Sequence, residues 1–242
     1  MPYFDQAPFD VRCEWGIAGV RQMAESDVVV IVDVLSFSTT VNIAVSRGAT
    51  VFPYRYNDQA AVEYARERAA MLAGPREIDR QTISLSPASV VRVPESSRLV
   101  LPSPNGAELS FAAIGRDAVV LAGCLRNATA VAARAQACGE RITVVPAGER
   151  WPDGTLRPAI EDLLGAGAII RRLSGRLSPE SMAAAATFDN ARSALFDRIS
   201  NSSSGRELIE RGFSRDVALA TEIDISEVVP VLVGEAYVSW EE

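Results

Sequence analysis

What most constrains the fold of this chain is a short apolar, β-branched run that recurs between turn formers, at residues 28–34, 50–54, 98–101, 118–122, 142–146 and 229–233. A strand with one wet face alternates polar and apolar residues. These runs are nearly apolar throughout, as in strands buried on both faces of a largely parallel sheet. Between them, 3.6-residue patterns predict helices over 39–46, 58–72, 107–113, 128–137, 158–173 and 206–211. Strand and helix alternate, so the expected class is α/β with a mostly parallel central sheet.

An internal echo supports that reading. Residues 28–53 resemble residues 118–146, with Leu35, Thr39 and Val41 meeting Leu125, Thr129 and Val131 at a constant offset of 90. Each copy reads strand, small-residue turn, helix, glycine, strand, proline, the order of a right-handed βαβ unit. Residues 74–97 have turn and short-strand character, suited to a hairpin or a cover over the sheet, and the Ser- and Ala-rich stretch 173–205 predicts one or two surface helices. No clean linker interrupts the chain, so a single domain over 1–242 is expected.

Composition removes much of the possible chemistry. All 24 basic residues are Arg, with neither Lys nor His. That excludes a Ser-His-Asp triad, a phosphohistidine, His-ligated zinc, Walker-type nucleotide chemistry and lysine-linked pyridoxal phosphate. Cys13, Cys124 and Cys138 are odd in number and form no C-x-x-C pair, which argues against a disulfide framework and a zinc site. None begins a C-x5-R loop, because Gly19, Ala130 and Val144 stand where the Arg would be. A net charge of −7 disfavours nucleic acid as a partner. The start MPYFDQAPFD lacks a basic region and a long apolar run, and no stretch approaches about 18 uninterrupted apolar residues, so a cytoplasmic protein without a membrane span is expected.

In an open parallel sheet, ligands bind beyond the carboxyl ends of the strands. Asp33 ends an apolar strand just before Ser36, Ser38, Thr39 and Thr40, and reads either as a helix cap or as a metal ligand or nucleophile. In LPSPNGAELSF, Asn105 and Gly106 make a turn whose following N–H groups could face an anion. In GCLRNATAV, Asn127 either caps a helix or holds a substrate oxygen, with Arg126 beside it as an anion clamp. Glu149 leaves a strand, and Glu161 and Asp162 lie in the first turn of a helix begun by Pro158, where acids favour the helix dipole. The small residues GAGA let that helix press on the sheet and bring its N-terminus to the Asp33 edge. Asp33, Glu149, Glu161 and Asp162 together are an all-oxygen set suited to Mg²⁺. Ser204, Gly205 and Arg206 combine a hydroxyl, a helix N-terminus and a guanidinium, either an oxyanion grip or a capped helix with an exposed Arg.

The segments DVLSFSTT, SPNGA, GCLRNATAVA, GE followed by EDLLGAGAI, and SSSGRELIERGF followed by ATEIDISEVVPVL occur in that order. Together they resemble the 2-phosphosulfolactate phosphatase (ComB) family of sulfolactate and coenzyme M biosynthesis, over nearly the whole chain. The resemblance implies a three-layer α/β/α fold and a Mg²⁺-dependent phosphoric monoester hydrolase that converts 2-phospho-3-sulfolactate to 3-sulfolactate and phosphate. It falls on Asp33, Ser38, Thr39, Asn105, Gly106, Asn127, Glu161, Asp162, Gly205 and Arg206. The expected catalytic residues are Asp33, Glu161 and Asp162, the expected metal ligands are these with Glu149, and the expected substrate contacts are Ser38, Thr39, Asn105, Gly106, Arg126, Asn127, Ser204, Gly205 and Arg206. A haloacid-dehalogenase reading of Asp33 fails, because Leu35 stands where a second Asp is required and the chain has no Lys.

One position departs from the pattern. The family motif reads D-V-L-R-A-S/T-S/T-T, whereas Ser36 and Phe37 here replace Arg-Ala. The substrate implied by the resemblance carries phosphate, sulfonate and carboxylate together, so a lost guanidinium opens an alternative, a phosphatase for another small, multiply anionic phosphate ester. Arg126, Arg150 and Arg206 are the candidates to replace the missing charge. A non-catalytic anion-binding homologue is the remaining alternative. The partner expected is a small anionic ester, and self-association is compatible with a compact α/β enzyme.

Overall fold

In the computed structural model, which describes residues 3–76 and 82–240, the apolar run 28–32 is buried at every position, as a strand covered on both faces must be. The strands are β1 (Val11–Cys13), β2 (Val28–Val32), β3 (Thr50–Tyr54), β4 (Met71–Leu72), β5 (Arg98–Pro102), β6 (Val119–Gly123), β7 (Ile142–Pro146), β8 (Glu149–Arg150), β9 (Leu156–Arg157), β10 (Pro230–Val233) and β11 (Ala236–Ser239). The helices are α1 (Gly16–Gln22), α2 (Phe37–Ser46), α3 (Gln59–Glu67), α4 (Pro87–Val90), α5 (Gly106–Ala113), α6 (Ala128–Cys138), α7 (Ile160–Ile170), α8 (Pro179–Ala191), α9 (Leu195–Ser200), α10 (Ser203–Glu210) and α11 (Ser214–Ala220).

The main sheet runs β1-β7-β2-β6-β10-β11-β3-β5-β4, with β8 and β9 as a separate antiparallel ribbon. It consists of two parallel blocks, β1-β7-β2-β6 and β3-β5-β4. The C-terminal hairpin β10–β11 joins them antiparallel, through the single pairs Val231↔Leu121 and Tyr237↔Val51. Both echo units are strand–helix–strand, yet their strands are not neighbours: β2 sits between β6 and β7, and β6 with the hairpin separates β2 from β3.

The pleat of β2 defines the layers. Val28, Val30 and Val32 pack with α6 and α7, whereas Val29 and Ile31 pack with Val20 of α1 and Leu109 of α5. The result is the three-layer α/β/α arrangement. Helix α7 lies close because it carries glycine at its contacts. A Cβ at Gly165 would stand 2.6 Å from Val34 Cγ2, and one at Gly167 would stand 2.1 Å from the carbonyl oxygen of Ala184 in α8. Helix α8 therefore seals α7 with Ala184 and Phe188 buried, more than a surface helix would.

The helix expected over 58–72 ends at Glu67. Ala69 takes a left-handed backbone (φ 48°), which turns the chain so that Met71 and Leu72 pair with β5. In 74–97, Gly74 and Ser84 make a parallel bridge, and Thr40 Oγ1 donates to Leu85 O (2.8 Å), so this segment covers the start of α2. Residues 77–81 of the expected hairpin lie outside the described residues. Among the described residues, no helix is long and apolar enough to cross a membrane.

Candidate active site

Asp33 follows β2 directly and is buried. Its Oδ1 accepts the Phe37 N–H (2.9 Å) and its Oδ2 accepts the Gly106 N–H (3.1 Å), so the N-termini of α2 and α5 converge on one carboxylate. The Asp33 N–H donates to Ser38 Oγ (3.0 Å), and Ser38 Oγ donates to Ile31 O, which locks the turn. Gly106 is required there, since a Cβ would stand 2.2 Å from Phe37 Cδ1. Burial pushes the Asp33 carboxyl up to about 6; the two N–H donors and Arg76 oppose the rise, and the Glu161 charge adds to it.

The first turn of α7 supplies two neighbouring acids with different surroundings. Asp162 ties strand ends together, Oδ1 accepting the Val34 N–H (2.7 Å) and Oδ2 the Gly148 N–H (2.8 Å). Burial raises its pKa well above the ordinary carboxylate range, and the charges of Asp33 and Glu161 add to that. Glu161 is 2% exposed, and among the described residues nothing hydrogen-bonds its carboxylate. Glu149, at the start of β8, accepts from Asn105 Nδ2 through Oε2 (2.9 Å). Burial pushes it up to about 7, with the Asp33 and Glu161 charges adding and Asn105 and Arg157 opposing.

Asp33 and Glu149 line a cavity of about 190 Å³ whose other polar lining includes Ser36, Arg76, Asn105, Ser204 and Arg211. Glu161 and Asp162 lie outside that lining but within electrostatic reach of both acids. Three larger hollows, of about 540, 550 and 380 Å³, lie beside Arg134, Trp240 and Asp10; the first is lined by Glu227 and by Asp224, which is paired with Arg172, and Asp10 in the third is paired with Arg176. The smaller cavity is the candidate site, because there Asp33 and Glu149 meet Arg76 and Arg211.

Several expected substrate contacts make structural hydrogen bonds or ion pairs. Thr39 Oγ1 donates to Val34 O (2.8 Å). Asn127 accepts the Cys124 N–H (2.9 Å) and donates to Val228 O (3.1 Å), the capping alternative. Gly205 donates to Ser202 Oγ (3.0 Å), again a cap. Arg126 turns to Leu219 O and Glu222, and Arg206 is 66% exposed beside Glu210, so neither reaches the cavity. Arg150 pairs with Glu108 in an adjoining hollow that shares Asn105 and Glu149. Ser204 does line the cavity and accepts from Arg157 Nη2 (3.0 Å). The sequence reading missed Arg76 and Arg211, both of which line the cavity. Arg211 lies in the segment SSSGRELIERGF, whereas no periodicity or motif marks Arg76, which only the path of the segment after β4 brings to Ser36.

The donor set suits a hard cation: carboxylate oxygens that repel one another and bind protons unusually tightly when no cation shares their charge. Among the described residues no three acidic or thiol side chains form a ready-made cage, but Mg²⁺ is commonly held by one or two carboxylates together with substrate oxygens. The buried thiols do not compete. Desolvation pushes Cys13 up to about 12 and Cys124 up to about 11, which leaves both inert.

This electrostatics has a measurable consequence for stability. Asp33 and Glu149 hold protons more tightly folded than unfolded, so their contribution is full below the ordinary carboxylate range and is lost as pH rises through about 6 and about 7. In EDTA the melting temperature is expected to fall by about 5 °C or more between about pH 5 and about pH 8. Added Mg²⁺ is expected to raise it more at the higher pH, and a flat profile in EDTA contradicts the charge arrangement.

Residues 18–235 match the family described as 2-phosphosulpholactate phosphatase. The 2-phosphosulfolactate phosphatase of Methanothermobacter thermautotrophicus is 33% identical over 208 residues, 85% of this chain and 87% of that protein. The probable 2-phosphosulfolactate phosphatase of Carboxydothermus hydrogenoformans is 30% identical over 213 residues, 86% of this chain and 87% of its own length. That of Thermus thermophilus, also named as probable, is 27% identical over 236 residues, 90% of this chain and 94% of its own length.

Proposed function

The chain belongs to the 2-phosphosulfolactate phosphatase family of phosphoric monoester hydrolases, and from that premise we propose that it hydrolyses 2-phospho-3-sulfolactate to 3-sulfolactate and phosphate with Mg²⁺ as cofactor. The observation that carries the reading is the cavity in which Asp33, pinned by two helix N-termini, and Glu149 stand beside Arg76 and Arg211. Asp33 and Glu161 are the residues that would hold Mg²⁺, which when bound supplies positive charge to the phosphoryl oxygens. Asp33 needs no reorganisation to engage a ligand, because its orientation is already fixed by the Phe37 and Gly106 N–H groups. In a chain without imidazole, Glu149 is the proton carrier. Its Oε1 is not the oxygen held by Asn105, and its proton affinity lies near neutrality. Asp162 holds the strand ends, and the guanidinium groups neutralise what remains of the substrate charge.

Phosphate release from 2-phospho-3-sulfolactate tests the reading. Turnover is expected with Mg²⁺, with a loss of about 100-fold or more on chelation that added Mg²⁺ restores. Ser36 in place of the family's Arg favours one second reading, an ester with different acidic groups. A panel of phosphorylated hydroxy acids separates the two, and faster turnover of 2-phospholactate than of the sulfonate would select the second. Tight, metal-independent binding with no phosphate release would instead identify a binding protein.

A further inference from the structure

Position 36 holds a serine, yet the space beside it is not without positive charge. Arg76 arrives from the segment after β4, and its Nη2 donates to Ser36 Oγ (3.0 Å) and to Leu85 O (3.2 Å). Its side chain is 13% exposed, lies 5.4 Å from the Phe213 ring centroid, and lines the cavity with Asp33 and Glu149. Behind it stands Asp216 of α11, 1% exposed. Asp216 Oδ1 accepts from Ser86 Oγ (2.6 Å) and from the Ala88 N–H (3.1 Å), while its Oδ2 is buried without a hydrogen bond among the described residues, 3.7 Å from Arg76 Nε.

An ion pair whose task is only to join two segments gains most by closing into a bidentate fork. This one stays open. Asp216 is anchored by other donors, and the guanidinium leans on Ser36 and Leu85 instead, so the carboxylate fixes the position of a charge that lines the cavity. Arg211 lines the same space, but it is about half exposed and engaged with Glu207 (2.9 Å), where solvent screens it.

We infer that Arg76 is the specificity-determining residue of this site, gripping a second compact oxyanion of the substrate, sulfonate or carboxylate, while the phosphoryl group occupies the Asp33 side, and that Asp216 is its positioning residue. The inference rests on the phosphatase reading above. A buried guanidinium lining the cavity discriminates between an ester with a second acid and one with a hydroxymethyl group in its place, because only the acid returns a charge-assisted hydrogen bond.

The test is the ratio of kcat/KM for 2-phospho-3-sulfolactate to that for glycerol 2-phosphate, measured with Mg²⁺ on one preparation of each variant. A variant that only folds less well lowers both rates together and leaves the ratio alone. R76M is expected to lower the ratio by about 30-fold or more, chiefly through KM for the sulfonate. R76K, which keeps charge without the fork, is expected to lower it about fivefold, and it decides the matter if R76M does not accumulate. D216N is expected to shift the ratio in the same direction by about threefold or more. Wild-type turnover of the sulfonate with an R76M ratio within about threefold of wild type overturns this assignment alone. If the wild-type chain hydrolyses neither ester, the phosphatase reading fails and this assignment falls with it.

Discussion

Asp33→Asn is expected to lower Mg²⁺-supported phosphate release by about 10³-fold or more while leaving the melting temperature in EDTA unchanged or higher. The two effects separate because the carboxylate is held at a cost. It is buried near other acids, and burial pushes its pKa up to about 6, so at neutral pH its charge opposes folding. An asparagine amide keeps one oxygen for the Phe37 N–H but presents a second donor to the Gly106 N–H, a loss of roughly 1 kcal/mol that removal of the buried charge offsets. Were Asp33 merely the cap of α2, the opposite result would follow, with stability falling and turnover surviving. Phosphate release and thermal melts on the same variant decide between them, and turnover within about tenfold of wild type removes Asp33 from the reaction.

How far such a site is legible in sequence depends on whether its signal is local. The run 28–32 with an acid behind it, the Asn105-Gly106 turn and the acidic first turn of α7 each carry their evidence within a few residues, and the structure gathers these segments at one rim. The glycines of GAGA were legible as contact residues for the same reason, since close approach leaves no room for a Cβ. Adjacency along the chain misleads where side-chain direction matters. Arg126 and Arg206 neighbour motif residues yet point to Glu222 and Glu210. Arg76 is the converse, placed at Ser36 by a 40-residue detour that no periodicity announces. Strand order was equally hidden. The four residues 236–239 carry little pattern of their own, but as half of an antiparallel hairpin they split the parallel sheet into two blocks. The division of labour between Glu161 and Asp162 was also out of reach, because two adjacent acids look alike until their partners are known.

That division yields the second large effect. Asp162→Ala is expected to destabilise the fold by about 3 kcal/mol, roughly 10 °C in melting temperature, because it strands two buried backbone donors, each costing about 1–3 kcal/mol. Those donors are the Val34 N–H (2.7 Å) and the Gly148 N–H (2.8 Å), which follow β2 and β7, so the change loosens the strand ends that present Asp33 and Glu149. Relief of repulsion from Asp33 and Glu161 returns only part of that loss, since the remaining acids stay buried together. Glu161→Gln, one residue away, is expected to do the reverse. Its carboxylate is 2% exposed and, among the described residues, accepts no hydrogen bond, so neutralising it leaves the EDTA melting temperature unchanged or raised. Turnover should nevertheless fall by about 100-fold or more, and Mg²⁺ should no longer stabilise the protein, because half of the pair that would hold the cation is gone. Melts of both variants with and without Mg²⁺ read the contrast directly. If Asp162→Ala melts like wild type while Glu161→Gln unfolds, the strut is Glu161, and the cation must be sought on Asp33 and Asp162 instead.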